Sequence, residues 1–477
     1  MQLAIMNGMD SFMQLVRRSF GKIIAAQGSA KIADFEKIDD TLTPNMRALR
    51  LVMTMADQLS SMGMPAHSVT NLALNITDVY CQQKVHIDIS YTQIFVSQDR
   101  GIDREPLTLI RTITPRETNY QLMQQLQDLS AKIANHTLTL DDAEKSLDKI
   151  LSRVRRYPRW VIYIASGGIS AGSAILYSAT WPLVLIAFFV GAVTAWLLGR
   201  LGRLALPPFF TQVVASLFIT LFASALMWFV SHGYVDFMGS VNPTLITVGG
   251  IVLLVAGMAI VGAFQDAIDE YYVTAGARLL RVAMMTTGIV AGVGIGLYAS
   301  RKLGISFIPT PDRLTFASAS YQYLGAVIIS ASFALGNHTR LGGIILTGAT
   351  GLLGYYTFLA SSGAGLSSIP ANALAGITIG FIATLVSRVW HMPSLAIVNA
   401  SIVPLVPGLI LYNGLMGLIA PENAPGGDDL LLRAILISVA IAAGASFGVL
   451  VGRPTRRSFV LIRNSLPQWP LRSEDRE

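Results

Sequence analysis

The sequence predicts a polytopic α-helical membrane protein. About ten transmembrane helices form two five-helix inverted repeats, preceded by a small cytoplasmic α+β domain. Three observations predict it. Of 477 residues, 52% are hydrophobic and only 13% charged, with a mean hydropathy of +0.54, whereas a soluble chain carries about 25% charge. The deficit is localised. Residues 1–158 mix acids, bases and amides, but from Trp160 to about Gly452 the charges retreat to short junctions between apolar runs of about 17–25 residues, the length that spans a hydrocarbon core. Third, segments of the second half of that region repeat segments of the first in the same order.

The chain begins MQLAIMNGMDSFMQLVRRSFGKIIAAQ. Asn7, Asp10, Arg17 and Arg18 interrupt its apolar residues and no small-residue cleavage site follows, so a signal peptide is not expected. At helical spacing Phe12, Leu15, Val16, Phe20 and Ile23 share a face opposite Arg17, Arg18 and Lys22. Residues 1–44 are read as a variable tail, either mobile, packed, or lying as an amphipathic helix on a membrane surface. Residues 45–158 read as α+β. Helical periodicity marks RALRLVMTMADQLSSMG and AHSVTNLALNITDVYCQ, alternation marks strands in KVHIDISYTQIFVSQ and PLTLIRTIT, and two helices follow near 117–135 and 139–156. No phosphate loop, metal spacing or nucleophile–base pair is evident, so no cofactor is expected. His67, His86 and Cys81 are read as surface or core residues. The single cysteine excludes an internal disulfide and a cysteine metal cluster. The net charge of +7 calls for no nucleic-acid partner, because basic residues at span ends are explained by topology.

Spans are expected near 160–179, 182–199, 208–231, 244–264, 282–299, 320–336, 341–360, 369–387, 394–419 and 431–452. Alternate junctions carry Arg153, Arg155, Arg156 and Arg159, then Arg200 and Arg203, Arg278 and Arg281, Arg340 and Arg388, and finally Arg453, Arg456 and Arg457. The opposite junctions hold Arg301, Lys302, Arg313 and Arg433. This bias places both termini and the α+β domain in the cytoplasm. The membrane part divides into a first repeat at 159–305 and a second at 306–457, with a cytoplasmic tail at 458–477.

The repeat is read from three pairs of segments. NPTLITVGGIVLLVAGMAI (242–260) aligns with MPSLAIVNASIVPLVPGLIL (392–411), setting Pro243 on Pro393 and Gly257 on Gly408. PPFFTQVVASLFITLFA (207–223) resembles IPANALAGITIGFIATL (369–385), and VGAVTAWLLG (190–199) resembles TGATGLLGYY (347–356). Five is an odd number of crossings, so the second copy re-enters from the opposite side and the halves are inverted. Inverted repeats around a midplane site built from broken helices are an architecture of secondary transporters.

The break is expected in IVPLVPGLILYNG, where Pro404, Pro407 and Gly408 fall within one span. Proline removes a backbone donor and clashes with the preceding turn. In a bilayer the freed groups persist only where protein, water or substrate satisfies them. An exposed helix N-terminus favours a carboxylate and a C-terminus an ammonium, so a zwitterion suits such a site. Asn399, Ser401 and Asn413 add hydrogen-bonding groups around it. The bland alternative is an ordinary proline kink. The first-half counterpart keeps Gly257 but has Ala256 in place of the second proline, so the halves are expected to break unequally. Asp266, Asp269 and Glu270 follow it. Asp269 and Glu270 are read as a water-facing helix cap, and Asp266 either caps likewise or faces a cavity and carries a coupling proton. Gln212 and Asn372, shortly after the prolines that open spans three and eight, either line a pathway or join helices. His232, His338 and His391 fall at span ends. GISAG (168–172) matches a serine-hydrolase pattern, but it lies inside an apolar span with no histidine or acid, so it is read as helix packing.

Taken as an ordered set, these segments resemble the threonine/serine exporter family of bacterial plasma-membrane carriers. The resemblance runs from about Arg47 to Arg457 and rests on LRLVMTMADQLSSMGMPAHSVTNLALNITDVYC, NYQLMQQLQDLSAKIANHTLTLDDAEKSLDKIL, AFQDAIDEYYVTAGARLL and MPSLAIVNASIVPLVPGLILYNGLM. It implies export of threonine and serine driven by the proton motive force, with protons and the lipid bilayer as further partners. Two-chain relatives imply dicarboxylate efflux as the alternative, and a gated channel or regulatory membrane protein is the rival from another class. All arginines fall at or near span ends in this reading, which favours the zwitterion. The sequence leaves open whether the chain forms a homo-oligomer.

Overall fold

Residues 43–100, 104–154, 156–204, 206–232, 244–254, 257–305, 316–387, 392–419 and 426–465 are described by a computed structural model. The amphipathic face expected before Thr43 lies outside them, as do Pro243, Ala256 and His391.

The N-terminal unit is built from short, well-signalled elements. Helix α1 (Pro44–Ser61) opens with proline at its first position, and the Thr43 hydroxyl accepts the Met46 N–H at 3.4 Å. It buries Leu49, Val52, Met55, Ala56 and Leu59. Helix α2 spans Ala66–Tyr80. Strands β1 (Val85–Ile89), β2 (Gln93–Gln98) and β3 (Leu107–Thr112) form an antiparallel sheet in the order β1-β2-β3. Ile89 pairs with Ile94, and Gln98 with Leu107. On β2 the alternation resolves as expected, with Ile94, Val96 and Gln98 buried. Helix α3 (Tyr120–Ala134) is capped by Asn119, whose side chain accepts the Leu122 N–H at 3.0 Å. Helix α4 (Leu140–Ser152) is capped by Thr139, with Asp141 and Asp142 in its first turn. It ends at Ser152 rather than 156, so Arg153 is its cap. Arg47 on α1 binds both Asp141 and Glu144 on α4.

The rest is helical: α5 (Arg159–Leu176), α6 (Trp181–Arg203), α7 (Pro208–Ser231), α8 (Thr244–Leu254), α9 (Gly257–Ile268) and α10 (Tyr272–Lys302). A second series follows, α11 (Ala319–Gly336), α12 (Leu341–Gly363), α13 (Ser368–Val386), α14 (Ser394–Ile402), α15 (Gly408–Ile419) and α16 (Gly427–Ser465). Among the described residues six helices are long and apolar enough to cross a membrane: α6, α7, α10, α12, α13 and the Gly427–Arg453 part of α16. The chain is thus a mostly helical, polytopic membrane protein. Helices α5 and α11, eighteen residues each, are rich in small residues and pack on one another. A Cβ on Gly172 would lie 3.0 Å from the Gly325 carbonyl, and one on Gly325 2.8 Å from the Gly172 carbonyl.

Two boundaries depart from expectation. The pattern predicts the fifth span at 282–299, but α10 starts at Tyr272, so Arg278 and Arg281 lie within a helix and not in a junction. Hydropathy marks only the apolar part of a helix, and a helix continues wherever its backbone stays bonded. For the same reason α16 runs on to Ser465, and the tail expected from 458 begins as helix.

Packing within the two series matches element for element. Helix α5 packs on α6 as α11 does on α12. Helix α7 packs on α8 and α10 as α13 does on α14 and α16, and α9 on α10 as α15 on α16. Glycines reinforce the parallel. Gly288, Gly292 and Gly296 bring α10 against α7, and Gly444, Gly448 and Gly452 bring α16 against α13. The last of each trio meets a threonine, Thr220 for Gly296 and Thr384 for Gly452.

Candidate functional site

The helix expected to break does so. Helix α14 stops at Ile402, a single 3₁₀ turn covers Val403–Leu405, Val406 is extended (φ −62°, ψ 129°), and α15 restarts at Gly408. Pro404 and Pro407 supply no N–H to the preceding turn. The chain closes locally instead: Val406 N–H donates to the Val403 carbonyl at 3.3 Å and Gly408 N–H to the Val406 carbonyl at 2.8 Å. The question of a matching bend at Gly257 falls on residues 255–256, outside the described residues.

The residues of the break divide between two cavities. Asn399 lines a cavity of about 310 Å³ between the membrane helices and the N-terminal unit. Pro407 and Gly408 line a separate apolar hole of about 20 Å³ beside Ile260, Leu411 and Ser438. That hole is the size of one water. Ser401 is fully buried and donates to the Thr347 carbonyl at 3.2 Å.

The large cavity is bordered by contacts between distant parts of the chain. Asn399 Nδ2 donates to the Tyr120 hydroxyl at 3.4 Å, and Tyr120 N–H to the Asn337 carbonyl at 3.0 Å. Burial pushes the Tyr120 phenol up to about 12, with the Asn399 bond opposing, so it stays protonated. Asp266 on α9 is fully buried. Its Oδ1 accepts the Ala66 N–H, the first residue of α2, at 3.1 Å, and its Oδ2 pairs with Arg278 Nη1 at 2.9 Å. Arg278 Nη2 also donates to the Met64 carbonyl at 3.3 Å. One membrane-side ion pair therefore caps a helix of the N-terminal unit. Thr274 donates to the Ile89 carbonyl at 3.4 Å and Arg281 Nη1 to the Tyr91 hydroxyl at 2.8 Å, which bind the sheet to the start of α10.

Of the residues expected from sequence, Asn399 reaches this cavity, and Asp266 lies just behind its wall. Asp266 fits neither simple expectation, since it is neither in water nor directly on the cavity. Asp269 and Glu270 are exposed. Gln212 is buried beside Gly288 between α7 and α10, and Asn372 donates to the Ser368 carbonyl at 2.7 Å. Each leaves its amide oxygen without a hydrogen-bond partner among the described residues, as does Asn413 on α15. Measured from Thr220 and Thr384, Asn372 lies one turn earlier in its helix than Gln212 does. Ser170 of GISAG donates to the Gly249 carbonyl at 3.2 Å, a helix-packing contact. Missed from sequence were Arg278, Arg281, Gln265, Tyr120 and Asn337 on the cavity wall. The signal for the arginines was their spacing of three, which puts both on one helical face.

Next to Asn337 in sequence, His338 accepts the Tyr157 N–H on its Nδ1 at 3.1 Å, which requires an unprotonated nitrogen. Burial holds the His338 ring below its usual 6.5. Arg156 acts in the same direction and Glu117 against it. The unfolded chain therefore binds more protons than the folded one just below that value, and stability falls as pH drops below about 6.5. Melting curves in detergent should show this acid-side loss, and His338→Asn, which keeps an acceptor but does not titrate, should remove that component.

Residues 50–299 match the family model described as "Putative threonine/serine exporter", and residues 322–451 the model "Threonine/Serine exporter, ThrE". The chain is 29% identical over 430 residues to the "Probable threonine/serine exporter" of Mycobacterium tuberculosis, covering 88% of this chain and 78% of the relative. It is 28% identical over 418 residues to the "Threonine/serine exporter" of Corynebacterium glutamicum, covering 86% and 83%. A weaker likeness, 22% over 244 residues, links 51% of the chain to 90% of the "Probable succinate transporter subunit YjjP" of Klebsiella aerogenes. No solved structure matches.

Proposed function

The chain belongs to the threonine/serine exporter family, and from that premise we propose that it is a secondary transporter exporting threonine and serine across the bacterial plasma membrane, driven by the proton motive force. The observation that carries this reading is the interrupted helix α14–α15, whose Asn399 faces a cavity of about 310 Å³. A cavity of that size suits a single small metabolite, and a broken helix beside it is how carriers expose backbone groups to cargo. On this reading the ten passes form two inverted repeats, meeting between α10 and α11. The matched packing of the two series supports the duplication, and so does the separation of the two family matches at that point. The arginine bias supports cytoplasmic termini and a cytoplasmic α+β unit, so the cavity is the inward mouth. Pro404, Pro407 and Gly408 form the break that cargo passes, with Asn399 and Ser401 on the helix just before it and Gly257 its quieter counterpart. Gln212, Asn372 and Asn413 carry spare amide acceptors deeper in the core.

Asp266 is the coupling group in this scheme. A proton on its carboxyl weakens the pair with Arg278 and the bond to Ala66 together, which frees the α+β unit from α9 and α10. Proton entry and mouth opening are then one event. The dicarboxylate reading also has an observation in its favour, because the cavity wall carries two arginines.

Counterflow in proteoliposomes decides between these readings. Threonine and serine should exchange saturably, succinate should not, and net export should stop when the pH gradient is collapsed. Asp266→Asn should keep exchange but lose the response to the gradient. Flux that ignores the gradient in the unaltered protein would point to a channel.

A further inference from the structure

We propose that Arg281, with Arg278 one turn before it, is the element that recognises a carboxylate in the inward cavity. The inference rests on the export reading for its cargo and adds which group of the cargo is read, and by which residues.

Arg278 and Arg281 are the charged side chains among the described residues that line the cavity, and no acid lines it with them. Their situations differ. Arg278 is committed to Asp266 and to the Met64 carbonyl. Arg281 is exposed, and among the described residues no carboxylate lies within ion-pair distance of it. Its bond to the Tyr91 hydroxyl at 2.8 Å uses one of five donors and fixes the direction of the guanidinium. Tyr91 stands in the turn between β1 and β2, so the N-terminal unit sets the aim of a cation rooted in α10. The remaining N–H groups form a planar fork that matches the two oxygens of a carboxylate. An uncompensated cation in a concave wall also concentrates anions at that point. Other parts of the same wall carry the amides of Gln265, Asn337 and Asn399, neutral groups suited to a hydroxyl or an ammonium. When Asp266 is protonated, Arg278 joins Arg281 on the same helical face, and the cavity gains a second guanidinium.

The test uses the full-length chain in proteoliposomes, with threonine, threoninol (a hydroxymethyl in place of the carboxylate) and succinate as probes. Arg281→Gln should raise the half-saturating threonine concentration about tenfold or more, the scale of one charge-assisted bond, with the maximal rate little changed. Arg281→Lys should recover part of the loss. Tyr91→Phe, which only loosens the aim of the guanidinium, should shift half-saturation by a few-fold. Threoninol should fail to compete in the unaltered protein. Unaltered half-saturation in a normally melting Arg281→Gln protein overturns the proposal, as does threoninol competing as well as threonine. Should Arg281→Gln fold poorly, the lysine and phenylalanine variants carry the same test. If the unaltered protein exports threonine but ignores these changes, this inference falls and the export reading stands. If it moves succinate alone and that flux depends on Arg281, the carboxylate site stands and the amino-acid reading falls.

Discussion

Asp266→Ala is expected to destabilise the docked chain by about 3–5 kcal/mol, the cost of breaking a buried ion pair from one side. The carboxylate is fully buried and holds two partners, Arg278 at 2.9 Å and the Ala66 N–H at 3.1 Å. Its removal leaves a guanidinium that is only 15% exposed without its counter-charge, and leaves the first N–H of α2 without an acceptor. Asp266→Asn keeps an acceptor for Ala66 and loses only the charge, so it falls between. The double variant Asp266→Ala, Arg278→Met should cost less than the sum of the two changes, because they share one interaction. The readouts are the melting temperature in detergent and tryptic cleavage at Arg153 and Arg156, which link the N-terminal unit to α5. A variant that melts normally and resists trypsin would show that the pair does not hold the unit down.

Gly292→Ala and Gly294→Ala, two residues apart on α10, are expected to act with opposite sign. A Cβ at Gly292 would lie 2.2 Å from the Val213 carbonyl and 2.1 Å from Ser216 Oγ. The carbonyl belongs to a packed backbone, so α7 and α10 must separate, at about 1–3 kcal/mol. A Cβ at Gly294 meets nothing within 4 Å. There alanine gains helix propensity, about 0.5–1 kcal/mol. Gly448→Ala, with its Cβ 2.2 Å from the Ile377 carbonyl, should behave as Gly292→Ala does. Melting temperatures of the three variants check this. Equal effects at 292 and 294 would contradict the packing of α10 against α7.

Much of this architecture is written in local pattern. Alternation gave the strands, the Thr43, Asn119 and Thr139 caps mark three helix starts, and two prolines and a glycine fix the break after Ile402. Local pattern says less about which way a polar residue faces. Gln212 and Asn372 stand out in apolar helices, and only packing reveals that Gln212 lies beside Gly288 of α10 while Asn372 bonds back to Ser368 of its own helix. Hydropathy sets the two arginines of α10 in a junction because it locates the apolar stretch and not the turns before it. The cavity itself joins Ala66 to Asp266 and Tyr120 to Asn399. Contacts across such separations leave no trace in spacing or periodicity. The break was legible, but its division between a large cavity with amide and guanidinium groups in its wall and a small apolar hole was not, since that depends on α9 and α16 closing over Pro407.

On the export reading, cargo passes through the cavity between the N-terminal unit and the broken helix. This route can be tested at Asn399. Cys81, the single native thiol, is replaced by serine, although burial already pushes it up to about 11 and makes it a poor nucleophile. Asn399→Cys is then labelled with a membrane-impermeant thiol reagent in vesicles of known orientation. Labelling is expected from the cytoplasmic face, slowed by saturating threonine and not by threoninol. Labelling that threonine leaves unchanged, or that occurs only from the opposite face, would contradict it.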